Sequence, residues 1–174
     1  LLNKIIKNIQ IFIKLHNNQD KSSSLLDLGN YYLDGINFEQ DYSKAIQYLD
    51  LSSILNNSEA SFKLGNIYFE GKIVQKDLSK AKYYYKLSSQ NNNSYALFNL
   101  GNLYIGQKGL GRNIQKAIKY LKMAADLDNP YSFLVLGIFY IIGMEVPKDI
   151  STTIKYYERA SQKNLSMCSL SLGL

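Results

Sequence analysis

The chain is predicted to be an all-α solenoid of stacked helix-turn-helix repeats with a 36-residue period. Three observations carry this. The Leu-Gly pair recurs at Leu28-Gly29, Leu64-Gly65, Leu100-Gly101, Leu136-Gly137 and Leu172-Gly173, each step being 36 residues with no insertion. Further columns keep the same phase, such as Tyr32, Tyr68, Tyr104 and Tyr140 after the pair, and Ser24, Ala60, Ala96, Ser132 and Cys168 before it. Apolar residues within each unit recur every three or four positions, the period of a helix with one buried face. A single helix pair cannot bury that face alone, whereas stacked pairs share a continuous core.

The elements follow in order. Residues 1–22 read as a helical segment, a half-repeat or a cap, with Ile5, Ile6, Ile9, Phe12 and Ile13 on one face. Residues 23–174 form the solenoid: four full repeats start near 23, 59, 95 and 131, and a truncated fifth begins near 167. In the second repeat, helix A covers about 59–70, where Ala60, Leu64 and Tyr68 form the apolar stripe. Gly65 lies inside this helix at a cost of about 1 kcal/mol against Ala, so a packing reason is expected, namely close approach of a neighbouring helix. Gly71 ends helix A, and Val74 anchors the following loop, as Phe38, Leu110 and Val146 do in the other repeats. Asp77 is a candidate N-cap for helix B, with Asp41, Asn113 and Asp149 in the same column. Helix B carries Leu78, Ala81, Tyr84, Tyr85 and Ser88, and the run from Asn91 to Ser94 closes the unit.

The second-repeat pattern Ala60-x-x-x-Leu64-Gly65-x-x-Tyr68-x-x-Gly71, followed by Asp77-x-x-Lys80-Ala81-x-x-Tyr84, resembles the Sel-one-like repeat (SLR), a relative of the tetratricopeptide repeat. The resemblance spans residues 23–174. It implies a right-handed α-solenoid acting as a protein-protein interaction scaffold or adaptor, and no catalytic activity. Two departures stand out: the third repeat has Gln107 where the others have Gly after helix A, and the fourth has Thr152-Thr153 in place of Lys-Ala. The paired cysteines of a secreted bacterial branch are absent, since Cys168 is the sole cysteine.

Composition narrows the function classes. The 174 residues are 46% hydrophobic and 20% charged, as in ordinary globular proteins. The net charge of +6 comes from Lys spread along the repeats, without the clustered Arg and aromatics of a nucleic-acid binder. No apolar run reaches the ~18 residues that span a bilayer, so membrane contact is expected only through a partner or a missing segment. The chain starts at Leu1 and stops within a repeat, which points to a piece of a longer protein, so absent targeting signals carry little weight. Cytoplasm, endoplasmic reticulum lumen and secretion all stay open, as does the oligomeric state.

No cofactor or metal is expected. His16 has no Asp or Ser partner at a useful spacing, and Cys168 falls in the small-residue column of the core. The Gly106 to Gly111 stretch lacks the order and the preceding strand of a phosphate loop. The Tyr columns fit interhelical packing better than ligand stacking. The triplets Asn56-Asn57-Ser58, Asn92-Asn93-Ser94 and Asn164-Leu165-Ser166 match the N-glycosylation sequon, as in an endoplasmic reticulum or secreted protein, but a repeated loop in an Asn-rich chain is the preferred reading.

Two surface features are candidate partner-binding sites. Asn30, Asn66 and Asn102 follow the Leu-Gly pairs and form a ladder on helix A, which lines the concave face in tetratricopeptide-like solenoids. Each amide offers a donor and an acceptor to a bound backbone, or to hydrogen bonds between repeats. The fourth helix A carries Val135, Ile138, Ile141 and Ile142 where other repeats are polar or mixed, which suggests a hydrophobic contact with a partner, another copy or a missing part of the chain, against a broader core between repeats. The leading reading is an adaptor that recruits proteins through the solenoid surface; the alternative is a permanent structural subunit of a large assembly.

Overall fold

The helical period and the paired caps translate into eight α-helices in the computed structural model, which describes residues 21–35, 38–106 and 111–163. The N-terminal helical segment, His16, Leu110, Cys168, the third sequon and the expected fifth repeat lie outside the described residues. The helices are α1 (Lys21–Asp34), α2 (Tyr42–Ile54), α3 (Ser58–Glu70), α4 (Leu78–Ser89), α5 (Ser94–Gly106), α6 (Ile114–Asp126), α7 (Pro130–Ile142) and α8 (Ile150–Gln162). Odd-numbered helices are the A helices of repeats 1 to 4, and even-numbered ones the B helices. The chain divides into two compact units at Asn91/Asn92. In the first, α1 packs on α2, α2 on α3 and α3 on α4; in the second, α5 packs on α6, α6 on α7 and α7 on α8.

The helix starts are fixed by side chains. Asp41, Asp77, Asn113 and Asp149 each accept the backbone N–H three residues ahead, at 2.9–3.0 Å, and so cap the B helices as expected. The A helices have caps of their own, with Asn57, Asn93 and Asn129 accepting from Ala60, Ala96 and Ser132. Each A–B loop is closed by one further backbone bond, for instance Asp77 N–H to the Tyr68 carbonyl at 2.9 Å and Asn113 N–H to the Tyr104 carbonyl at 2.8 Å. Gly71 ends α3 with φ +69°, a left-handed conformation that costs glycine little.

Two caps titrate. Asp41 is held below its ordinary carboxylate range chiefly by the Lys44 backbone N–H, and Asp149 chiefly by the Thr152 hydroxyl, then by the Thr152 N–H. A carboxyl whose pKa folding lowers stabilises the folded state above its unfolded value and loses that contribution as pH falls through the folded one. The melting temperature is therefore expected to drop between about pH 5 and pH 3, and Asp149→Asn, which caps without titrating, to make the drop shallower. Thermal melts across that range check this; an unchanged slope in the variant means the cap contributes nothing to acid unfolding.

The core of each unit is built from the columns read in the sequence. In the first unit Leu49, Ala60 and Leu64 are fully buried, with Leu26, Leu33, Ile46, Ile67, Tyr68 and Tyr84 against them. In the second unit the core runs through Ile114, Ile118, Leu121, Phe133, Leu136 and Phe139. Gly29, Gly65, Gly101 and Gly137 each face helix B of their own repeat. A Cβ on Gly65 would lie 2.5 Å from the Tyr85 ring, and one on Gly101 would lie 2.7 Å from Leu121 Cγ and 3.3 Å from the Ala117 carbonyl. The close approach anticipated for these glycines is thus mainly to a helix-B side chain, with backbone behind it.

The tyrosine columns pair within each repeat. Tyr32 stacks on Tyr48, Tyr68 on Tyr84, Tyr104 on Tyr120 and Tyr140 on Tyr156, with ring centroids 5.6–5.8 Å apart. Lys44, Lys80 and Lys116 sit over the first ring of their stacks at 4.9–5.6 Å. Such a cation over a π face contributes about 0.5–1 kcal/mol at an exposed site. In repeat 4 Thr152 occupies the lysine position, and Lys122, from helix B of the preceding repeat, lies over Tyr140 instead at 5.7 Å. In the first unit the Tyr84 hydroxyl donates to Asp50 at 2.9 Å across the repeat boundary. Burial first, and this carboxylate second, push the Tyr84 hydroxyl pKa well above its ordinary value.

Candidate interaction surface

The face of helix A turned to solvent is set by the buried stripe on its other side. Positions 131, 135, 138 and 142, spaced four, three and four, lie on one side of α7. Tyr131, Ile138 and Ile142 there are exposed, and Val135 is half-buried against the core. The same positions in α5 are Tyr95, Asn99, Asn102 and Gly106. The Tyr95 and Tyr131 ring centroids are 6.3 Å apart, and Phe98 lies 5.6 Å from Tyr131, so the two stripes are neighbours within the second unit. Neither α5 nor α7 contains a single Asp, Glu, Lys or Arg.

The equivalent stripe of the first unit has the opposite character. It reads Ser23, Asp27, Asn30 and Asp34 on α1, and Glu59, Lys63, Asn66 and Glu70 on α3. Lys63 pairs with Glu59 at 3.8 Å and Glu70 with Lys72 at 2.8 Å, both exposed. Such pairs contribute little to stability, so this face presents acidic groups that water already solvates.

The predicted site residues are distributed as follows. Asn30, Asn66 and Asn102 are all half-buried on the helix-A stripe, Asn30 and Asn66 in the first unit and Asn102 in the second. Asn66 accepts a 2.7 Å hydrogen bond from the Tyr85 hydroxyl, so its oxygen is engaged inside its own repeat. Ile138 and Ile142 share the uncharged stripe with Tyr131 and the half-buried Val135. Ile141 belongs elsewhere. Its counterparts Leu33 and Ile105 pack against the following repeat, and the turn that places 138 and 142 on one side rotates 141 toward that repeat edge.

The lysine contribution to the tyrosine stacks was legible as the column Lys44, Lys80, Lys116, but sequence reasoning did not assign it. The sequon positions have a local explanation. Asn56 and Asn92 are exposed with φ +62° and +57°, and Asp128 takes φ +58° in the same column. Asn and Asp are the side chains that tolerate this conformation best. Asn57 and Asn93 beside them are helix caps. Among the described residues no group of three or more His, Cys, Asp or Glu could hold a metal ion, and no helix is long and apolar enough to cross a membrane.

Comparison with known proteins follows the repeat boundaries. The Sel1 repeat family model matches residues 22–57, 58–93, 94–129 and 134–165. No curated protein sequence matches the chain. Among solved structures, a Sel1 repeat protein from Oxalobacter formigenes is 25% identical with a TM-score of 0.79, covering 87% of this chain and 62% of its own. A protective antigen of uropathogenic Escherichia coli with an SLR fold is 23% identical, TM-score 0.84, covering 94% of this chain and 35% of its own. The cysteine rich protein B of Helicobacter pylori is 24% identical, TM-score 0.59, covering 74% and 92%. The chain thus spans less than two thirds of the first two relatives. These likenesses and the eight helices fix the fold class as an all-α solenoid of helical repeats.

Proposed function

Since this chain belongs to the Sel1 repeat family, whose repeats generally mediate protein-protein interaction on a generally non-catalytic scaffold, we propose that it is a binding adaptor that recruits a protein partner through the solvent-facing stripes of its A helices. The observation that carries this is the uncharged stripe of the second unit. Ile138 and Ile142 are exposed, the latter at 61%, beside Tyr131 and Tyr95, on two helices without a formal charge. Large exposed aliphatic and aromatic side chains on one face mark contact surfaces. A charged ligand would lose hydration here with nothing to replace it, so the partner segment is apolar. Asn102 on the same stripe offers an amide to its backbone.

Asn30 and Asn66, on the acidic stripe of the first unit, form a second contact for a segment of polar or basic character. Here Asn66 acts with its oxygen already accepting from Tyr85.

The test is affinity purification of the protein, in wild type and as Ile138→Asp/Ile142→Asp, followed by a binding isotherm on the partner segment identified. The affinity is expected to fall about 30-fold or more, the loss typical of an interface hot spot, with an unchanged melting temperature. An unchanged affinity would overturn the reading. A wild-type protein that aggregates alone, and dissolves only within an assembly, favours the permanent subunit instead.

A further inference from the structure

The charged side chains of the second unit are sorted by helix type. Its A helices, α5 and α7, carry none. Lys116, Lys119 and Lys122 lie on α6 and Lys155 and Arg159 on α8, against Asp126 and Glu158. All of these are exposed. Packing produces the pattern, because Ala117, Leu121 and Ala124 of α6 and Tyr157 and Ala160 of α8 take the buried side and leave the other to water. Lysines that read as spread along the chain are thus gathered on one kind of helix. Lys119 and Lys155 hold the same repeat position, and neither forms an ion pair among the described residues. Lys116 lies over the Tyr104 ring at 5.6 Å and Lys122 over Tyr140 at 5.7 Å. A ring beneath an ammonium holds it in place without neutralising its charge. The chain also seats one of its own carboxylates against these helices: Arg159 donates to Asp128 at 3.0 Å, and Lys163 pairs with it at 3.5 Å.

We propose that the helix-B side of the second unit is a docking surface for an acidic segment of a protein partner, whose carboxylates meet Lys119, Lys155 and the ring-held Lys116 and Lys122. Charge complementarity carries this. Lysine is a compact point charge without the planar fork of arginine, so it attracts carboxylates in many geometries. The outer row of α6 reads Gln115, Lys119, Lys122 and Asp126, and that of α8 reads Ser151, Lys155, Glu158 and Gln162. A uniformly anionic lipid surface would repel the carboxylates in these rows, whereas a chain with discrete acidic groups places them beside the lysines alone. Nucleic acid is disfavoured for a different reason. Tyr120 and Tyr156 are half-buried and stacked within their own repeats, so α6 and α8 show no exposed ring on which a base could stack. The unit then presents two chemistries, an apolar stripe on its A helices and a cationic one on its B helices. The cationic side uses neither Ile138 nor Ile142, so it stands or falls apart from the partner reading.

Fluorescence anisotropy of a labelled decaglutamate peptide with the full chain tests this. Binding is expected to fall steeply as salt is raised, because the lysines are exposed. Lys119→Glu/Lys155→Glu is expected to weaken it about tenfold or more, since two attractions become repulsions. Lys63→Glu/Lys72→Glu makes the same change in net charge away from the B helices and is expected to stay within about threefold. Ile138→Ser/Ile142→Ser, which disturbs only the apolar stripe, is expected to leave decaglutamate binding unchanged. Equal losses in the two charge-reversed proteins would mean that net charge alone attracts the peptide, and would overturn the proposal. A wild-type protein that leaves decaglutamate unbound overturns it too. So does tighter binding to vesicles of equimolar phosphatidylcholine and phosphatidylserine, which would assign the face to lipid. Melting curves show that each variant stays folded.

Discussion

Leu121→Ala is expected to cost the second unit about 3 kcal/mol, within the 2–5 kcal/mol range of buried leucine truncations. Leu121 is fully buried and fills the notch that Gly101 leaves on helix A of its own repeat, where a Cβ would come within 2.7 Å of its Cγ. The same side chain belongs to the cluster of Phe133 and Leu136 in the next repeat. Removing it leaves a cavity bounded on one side by glycine backbone, which has no side chain to move in. Its other walls are buried residues shared with α7. Relaxation is therefore small, and the cavity contribution adds to the lost transfer free energy. Met123 lies on the same helix but is 42% exposed, so Met123→Ala is expected to stay within about 0.5 kcal/mol. Urea unfolding followed by circular dichroism distinguishes the two; a loss below about 1 kcal/mol for Leu121→Ala means that the notch collapses.

Gly65→Ala is expected to destabilise the first unit by about 2 kcal/mol, although alanine is the better helix former by about 1 kcal/mol. The added methyl would sit 2.5 Å from Cδ1 and Cε1 of Tyr85 and 3.2 Å from its Cγ. That ring has little room to yield. It is fully buried, it contacts the Phe62 ring at 6.0 Å, and its hydroxyl donates to Asn66 at 2.7 Å. Shifting the ring strains the hydrogen bond, and shifting the helix opens the core around Leu64. Gly106 supplies the opposite sign. It ends α5, and a methyl added there would meet nothing within 4 Å, so Gly106→Ala is expected to be neutral or to stabilise by up to about 1 kcal/mol. Melting temperatures of both variants check the pair. A neutral Gly65→Ala would mean that the recurrent glycine answers to something other than Tyr85.

Much of this was written in the sequence. The 36-residue step of Leu64-Gly65 and its counterparts set the number and phase of the repeats. The capping residues Asp41, Asp77, Asn113 and Asp149 marked where the B helices begin, because a short side chain that accepts a backbone N–H acts locally. The apolar columns separated core from surface for the same local reason: helical geometry fixes which residues share a face. The need for a glycine at 65 was equally visible.

The sequence did not reveal which neighbour each face meets. Val135, Ile138, Ile141 and Ile142 read as one apolar patch, yet they divide between a half-buried contact, an open stripe and a repeat edge. Asn66 read as a rung of a ladder, yet its oxygen also serves Tyr85, a bond across 19 residues. The missing lysine of repeat 4 read as a simple departure, yet Lys122 reaches Tyr140 from the repeat before. Local periodicity determines the direction in which a side chain leaves its helix. Only the packing of one helix on another decides whether that direction ends in protein, in a hydrogen bond or in water.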